Sequence, residues 1–260
     1  MSSISNIINF KLYDLKDNLF IEKCKKNFFQ KGVITLPFFI KKDALEKILV
    51  ESNSKKSLAY YTKNKHNIYL SDDNLNYSNN HPINHKVVSS KGCITTDQLD
   101  KNSVLRYLYN SNKFKSFVSQ ITNSRALYEY SDRLSSINIH YANEGQELGW
   151  HFDNSSFAIT LLIQSPTKGG VFEYVPNLRN KQKRIENYTR VKKILEGLEK
   201  PKTLEFSPGT LVLFKGENSI HRVTPVIGEV SRILVVLAYN SEPGISLSEE
   251  ARMTFYGRLE

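Results

Sequence analysis

The sequence predicts an α+β fold, with helices gathered in the first half and strands in the second, and three observations carry that prediction. Apolar residues recur at helical intervals in Asp14 to Gln30, in Lys41 to Ser54 and in Thr96 to Asn123. From Leu127 onward the apolar runs are short and strand-like. Helices and strands that occupy separate stretches, instead of alternating, mark α+β architecture.

Taken in order, Leu15, Leu19, Phe20, Cys24, Phe28 and Phe29 give the first helix, which Gly32 ends, and Val33 to Phe39 has strand composition. KKDALEKILVESNS, Lys41 to Ser54, returns to a helical pattern. Residues 60 to 95 are rich in Asn, Tyr and Ser and lack sustained periodicity, so we expect an irregular polar lid or insertion there. His66, His81 and His85 fall in it and are expected at the surface, because Pro82 disfavours a helix and no carboxylate completes a second metal set. Thr96 to Asn123 reads as helix, with Thr95, Thr96 and Asp97 available as caps and an interruption at Asn110 to Asn112.

The strand-rich half begins near Leu127. In SINIHY, Ile137, Ile139 and Tyr141 share one face while Ser136, Asn138 and His140 share the other. Phe157 to Ile163 is apolar enough for a strand buried on both faces, and Gly169-Gly170 turns the chain into VFEYVP. Arg179 to Lys200 holds eight Lys or Arg against three Glu and is expected to form a basic surface helix over about 178 to 200. Pro208-Gly209 divides two further strands, and the C-terminus reads as a loop and a short helix whose Phe255 and Tyr256 are expected against the barrel's outer wall, the alternative being that they fold back over the pocket.

The chemistry centres on GWHFDNSSFAITLLIQ, Gly149 to Gln164. His151 and Asp153 are two apart, so on an extended strand both reach one face and one ion. A third donor would complete a two-His, one-carboxylate facial triad, which leaves three positions of an octahedral Fe(II) open. His221, 68 residues after Asp153, is the candidate. Arg232 follows eleven residues later at the head of the apolar strand ILVVLAY. A buried Arg calls for an anion, and its planar fork suits a carboxylate.

His151, Asp153, His221 and Arg232, in that order, resemble the Fe(II)/2-oxoglutarate-dependent oxygenases. The resemblance covers about Ser135 to Tyr239, and YANEGQE and KGGVFEYVPNLR add to it. WHFDNSSFAITLLIQ is similar to the branch that hydroxylates or halogenates free amino acids such as lysine. The resemblance implies a double-stranded β-helix (jelly-roll, cupin-like) core with N-terminal helices outside the sheet. It also implies Fe(II), 2-oxoglutarate and O2 as cofactor and co-substrates, with Arg232 on the far carboxylate of 2-oxoglutarate. If Tyr141 faces inward its hydroxyl joins that cofactor site, which is where we place it; if the other face is inward, His140 lines the pocket, and a plain packing role is the alternative for either residue. Asn154, next to the metal carboxylate, is expected to point towards substrate. Halogenating relatives replace the carboxylate ligand by a small residue, which frees a position for chloride, whereas this chain keeps Asp153. The expected activity is therefore hydroxylation of an unactivated C–H bond of a free amino acid or similar small polar metabolite, with release of succinate and CO2.

The 260 residues are read as one oxygenase domain, with 1 to 125 a mainly helical lead-in and 126 to 260 the β-helix core. No apolar run approaches the roughly 18 residues of a membrane helix, and no signal peptide is visible, so a cytoplasmic protein is expected. Cys24 and Cys93 give neither a disulfide framework nor a zinc spacing. The net charge of +10 raises a nucleotide or nucleic acid as an alternative substrate, although the interleaved aromatics of a strand-binding groove are missing. A non-catalytic β-helix binding domain is the third reading, and the complete four-residue set speaks against it.

Overall fold

The computed structural model describes residues 3–260. A short helix α1 (Ile4–Ile7) precedes α2 (Asn18–Lys31), which starts where the Asp17 side chain accepts from the Leu19 N–H and ends at Gly32, whose φ of 72° only glycine adopts at little cost. Strand β1 (Val33–Leu36) and helix α3 (Lys42–Lys55) follow as the periodicity predicts.

The expected irregular lid over 60 to 95 is corrected. Tyr60–Asn67 (β2) and Lys86–Ile94 (β3) form a long antiparallel hairpin registered from Tyr60 opposite Cys93 to Asn67 opposite Lys86. Its alternation is not legible in the sequence because neither face of β2 is apolar: Tyr61, Lys63 and Lys65 are exposed, while Thr62, Asn64 and His66 are polar yet half-buried. Only the connection, residues 68 to 85, is irregular. There the buried Asn84 side-chain amide donates to the carbonyls of Asn74 and Tyr77 and accepts from the Asn74 N–H.

The next helical region starts later than expected. Thr95 and Gln98 form a capping box around a single 3-10 turn, and the α-helices are α4 (Val104–Asn110), capped by Ser103, and α5 (Asn112–Thr122), separated at Ser111.

Strands β4 (Ile137–Ala142), β5 (Leu148–His151), β6 (Ala158–Gln164), β7 (Lys168–Gly169) and β8 (Phe172–Val175) lead to helix α6 (Tyr188–Leu195). The expected basic helix over 178 to 200 thus shrinks to eight residues, because left-handed backbone at Arg184, Asn187 and Gly197 breaks it on both sides. Strands β9 (Lys202–Leu204), β10 (Leu211–Phe214), β11 (Ile220–Val223), β12 (Val226–Ile227) and β13 (Arg232–Leu237) and helix α7 (Glu249–Tyr256) complete the chain.

Five strands in the order β1-β10-β6-β13-β4 form one layer and β5-β11-β8-β9 the other, every pairing being antiparallel. Strand β3 joins the layers, pairing with β4 at Gly92 and with β5 at Ser89. The first 125 residues are therefore more than a helical lead-in, since β1, β2 and β3 belong to the sheet. This is the α+β, double-stranded β-helix expected from the sequence.

On the outer face of the larger layer, Ile137, Ile139, Tyr141, Ile159, Leu161 and Val235 pack with Phe28, Leu105, Phe114 and Phe117 of the helices in one buried cluster. Each such side chain contributes about 1.5–3 kcal/mol on burial. A second cluster, containing Trp150, Phe152, Val191 and Ile220, backs the smaller layer. With both outer faces sealed in this way, alternate residues are directed into the space between the layers.

Candidate metal centre and active site

His151 closes β5 and His221 lies on β11 directly opposite it in the register. Phe152, fully buried between His151 and Asp153 in the chain, anchors the motif in the outer cluster, so that its two neighbours point the other way. The Asp153 N–H donates to the Gly216 carbonyl (3.1 Å), which fixes the backbone just beyond the strand. Asp153 Oδ1 then stands 3.6 Å from His151 Nε2 and 3.5 Å from His221 Nε2.

Among the described residues this is the one cluster of three or more His, Cys, Asp or Glu side chains that could hold a metal ion. Three adjacent donors around an octahedral ion with bonds of about 2.1 Å lie about 3 Å apart, so slight contraction brings these onto one ion. The unused imidazole nitrogens are engaged: His151 Nδ1 donates to the Gly149 carbonyl (2.7 Å) and His221 Nδ1 to the Ser219 carbonyl (3.0 Å). Each bond sets the tautomer that leaves Nε2 with its lone pair towards the ion. Burial, then the charge of His221, lowers the His151 pKa and favours the neutral ring a metal requires. For Asp153, burial acts to raise the pKa, but the two histidines outweigh it and keep the carboxyl well below the usual range.

Gly216 has a steric function that sequence reasoning missed. A Cβ at this position would fall 1.7 Å from Asp153 Oδ2, so the carboxylate occupies space that only glycine leaves open. The opposite wall is aromatic: the rings of Phe214 and Phe172 lie 4.8 and 5.5 Å from that of His221.

Arg232 is 6% exposed, and among the described residues its guanidinium makes neither a hydrogen bond nor an ion pair. Burial pushes its pKa down to about 10, which still leaves it charged at neutral pH. It borders a cavity of about 190 Å³ together with Leu162, Thr167, Gly170, Phe172 and Phe206. Phe172 links this cavity to the His221 ring. The Gly169-Gly170 turn makes the room, since a Cβ on Gly170 would come 3.0 Å from Arg232 Cδ.

Tyr141 is corrected. It faces the helices, and its fully buried hydroxyl donates to the Ser52 carbonyl of α3 (2.6 Å). His140, on the other face of β4, lines the interior instead. Burial, then the charges of Lys91 and Arg232, holds the His140 pKa well below the ordinary value. Asn154 is exposed in the bend after Asp153.

The histidines expected at the surface divide. His66 is half-buried on β2, with Nε2 2.7 Å from Ser89 Oγ and its ring 6.3 Å from that of His151. His81 is stacked on Tyr77 at 4.2 Å and lies 4.6 Å from the Tyr188 ring, so it ties the 68–85 connection to α6. The outer-wall expectation for Tyr256 is corrected: it is buried against Cys93 and Leu134 and donates to Asn138 Oδ1, on the β4 face that His140 shares, so the C-terminal helix folds back over the inner face.

The fold and the His151–Asp153–His221 site define the class: the chain is an Fe(II)/2-oxoglutarate-dependent oxygenase. It belongs to the Halogenase D (HalD) family, whose match spans residues 16–255. It is similar to a 2OG-Fe(II) oxygenase family oxidoreductase of Burkholderia pseudomallei, with 13% identity over 87% of this chain and 93% of that one and a TM-score of 0.54. The carbocyclase SnoK of nogalamycin biosynthesis shares 11% identity over 89% and 90% of the two chains, with a TM-score of 0.60. A prolyl-4-hydroxylase of Pseudomonas putida shares 11% over 83% and 96%, with a TM-score of 0.51. No curated protein matches the sequence. At these identities the structural likeness establishes the shared fold. No helix among the described residues is long and apolar enough to cross a membrane.

Proposed function

We propose that the protein hydroxylates an unactivated C–H bond of a free amino acid or similar small polar metabolite, with His151, Asp153 and His221 holding Fe(II) and Arg232 holding the far carboxylate of 2-oxoglutarate. The observation that carries the hydroxylase reading is Asp153, whose carboxylate stands within 3.6 Å of both histidine nitrogens in the space Gly216 leaves for it. A carboxylate there fills the position a halide would need, although the family takes its name from a halogenase.

When bound, Fe(II) with 2-oxoglutarate supplies O2 activation and C–H oxidation, with succinate and CO2 as co-products. The protein's own contribution is positional. The Gly149 and Ser219 carbonyls hold the two imidazoles in one tautomer and orientation. Arg232, a buried cation without an anion among the described residues, offers a planar fork to a carboxylate, and Gly170 allows its aliphatic stem to reach that place. Phe172 and Phe214 exclude water on the His221 side.

The nucleic acid alternative draws no support from the basic segment, where Lys181, Arg190 and Lys192 are paired with Glu217, Glu199 and Glu196. A screen of succinate formation with the common amino acids in air, followed by mass spectrometry in labelled O2 and in bromide, tests the proposal. The product is expected to gain one oxygen from O2 whether or not halide is present. A halogenated main product from the native protein overturns the hydroxylase reading.

A further inference from the structure

The inner face of the β2–β3 hairpin carries a polar surface to which the oxygenase chemistry assigns no role. Residues opposite one another in a ladder share a face, so Thr62, Asn64 and His66 stand with Ser89 and Lys91. Lys91 is the charged member. Its Nζ donates to the His140 imidazole at 3.2 Å and lies 5.8 Å from the centroid of the Phe255 ring. Among the described residues it has no carboxylate partner: burial lowers its pKa, Cys93 and then Asp153 act the other way, and Asp153 is already shared between the two histidines.

A cation held away from water without an anion is costly, and among the described residues Lys91, half-buried, and Arg232, buried, both lack one. The register sets them apart. Arg232 pairs with Ala142 on one edge of β4, while the other edge of β4 pairs with β3, Cys93 opposite His140 and Gly92 opposite Tyr141. Lys91, next along β3, therefore stands about two strand spacings from Arg232, roughly 10 Å at the backbone. One carboxylate bound bidentately at Arg232 leaves Lys91 unsatisfied, so a second anion is called for on the hairpin side.

We propose that Lys91, with His140 beside it, binds a carboxylate of the primary substrate and so sets which end of that molecule faces the metal. The inference rests on the oxygenase reading and adds the polarity of the substrate end that enters first.

The test uses the anaerobic Fe(II)–2-oxoglutarate protein, whose visible absorbance band responds to a neighbouring ligand. The band is followed during titration with the common L-amino acids, with matched amines that lack the carboxylate (cadaverine for lysine, agmatine for arginine) and with simple aliphatic carboxylates. In the native protein at least one carboxylate is expected to shift the band while its matched amine does not. Lys91→Met should weaken that response about 10- to 100-fold, the worth of a charge-assisted hydrogen bond, and Lys91→Arg should restore much of it. The requirement for 2-oxoglutarate should stay within about twofold, which with the melting temperature also shows that Lys91→Met is folded.

A selective loss of 2-oxoglutarate affinity in Lys91→Met would assign the lysine to the co-substrate and overturn the proposal. So would equal responses of native and variant, or a native protein that answers to no carboxylate. If aliphatic carboxylates respond through Lys91 and no α-amino acid does, the subsite stands and the amino acid reading falls. If an amino acid binds native and Lys91→Met equally, the amino acid reading stands and the subsite falls.

Discussion

Gly216→Ala probes the metal site without touching any of its donors. The added Cβ would lie 1.7 Å from Asp153 Oδ2, 2.5 Å from Cγ and 3.0 Å from Cβ. Ordinary contact begins near 3.4 Å, so the oxygen must retreat by about 1.7 Å or the turn around residue 216 must open. The turn is tied on both sides, by the Lys215 N–H to the Gly32 carbonyl (2.8 Å) and by the Gly216 carbonyl to the Asp153 N–H (3.1 Å). The carboxylate is therefore the part that moves. A metal bond of about 2.1 Å does not survive such a displacement, so the expected outcome is a loss of Fe(II) affinity of at least the 10- to 100-fold typical of a disturbed supporting residue. Overpacking should also cost about 1–3 kcal/mol of stability. Anaerobic iron titration against a competing chelator and thermal melting measure the two effects. The double variant Gly216→Ala/Asp153→Gly separates them, because removing the carboxylate relieves the clash: stability should recover while iron affinity does not. Native-like iron binding by Gly216→Ala, or a double variant no more stable than the single one, would refute the steric argument.

Three other outcomes are expected. Arg232→Ala should raise the 2-oxoglutarate requirement about 100-fold or more, because it strips the co-substrate of a buried bidentate partner, with far less effect on the primary substrate; titration of the anaerobic absorbance band checks this. Tyr141→Phe should lower stability by about 1–2 kcal/mol through the lost bond to the Ser52 carbonyl and leave the 2-oxoglutarate requirement unchanged, which denaturant melts and the same titration read out. Burial raises Cys24 to about 11 and Cys93 to about 12, above the 9.0 of an unperturbed thiol. Both thiols should resist iodoacetamide at pH 8 until the protein unfolds. Because their folded pKa values are the higher ones, the linked stability is fully present below pH 9 and lost as pH rises through 11 to 12, measurable as a falling denaturation midpoint.

The sequence by itself determined the ligand set and the class of fold. His151 and Asp153 are two residues apart, and a strand puts such residues on one face wherever it lies. His221 and Arg232 could be named because each stands at an apolar strand in the order a resembling family displays. Gly32 and the helical periods were equally legible, since they depend on local backbone preference. Tertiary structure decided which side of each strand is interior. SINIHY alternates equally well either way, and it is the packing of α3 and the other helices on Tyr141 and its neighbours that makes His140 the inward residue. The β2–β3 hairpin stayed hidden because a strand with one polar exposed face and one polar cavity-facing face carries no hydrophobic period. Lys91 and Gly216 acquire their meaning only from neighbours 49 and 63 positions away, His140 and Asp153. Such proximity is produced by the closure of the two layers around one space, and nothing in the local sequence encodes it.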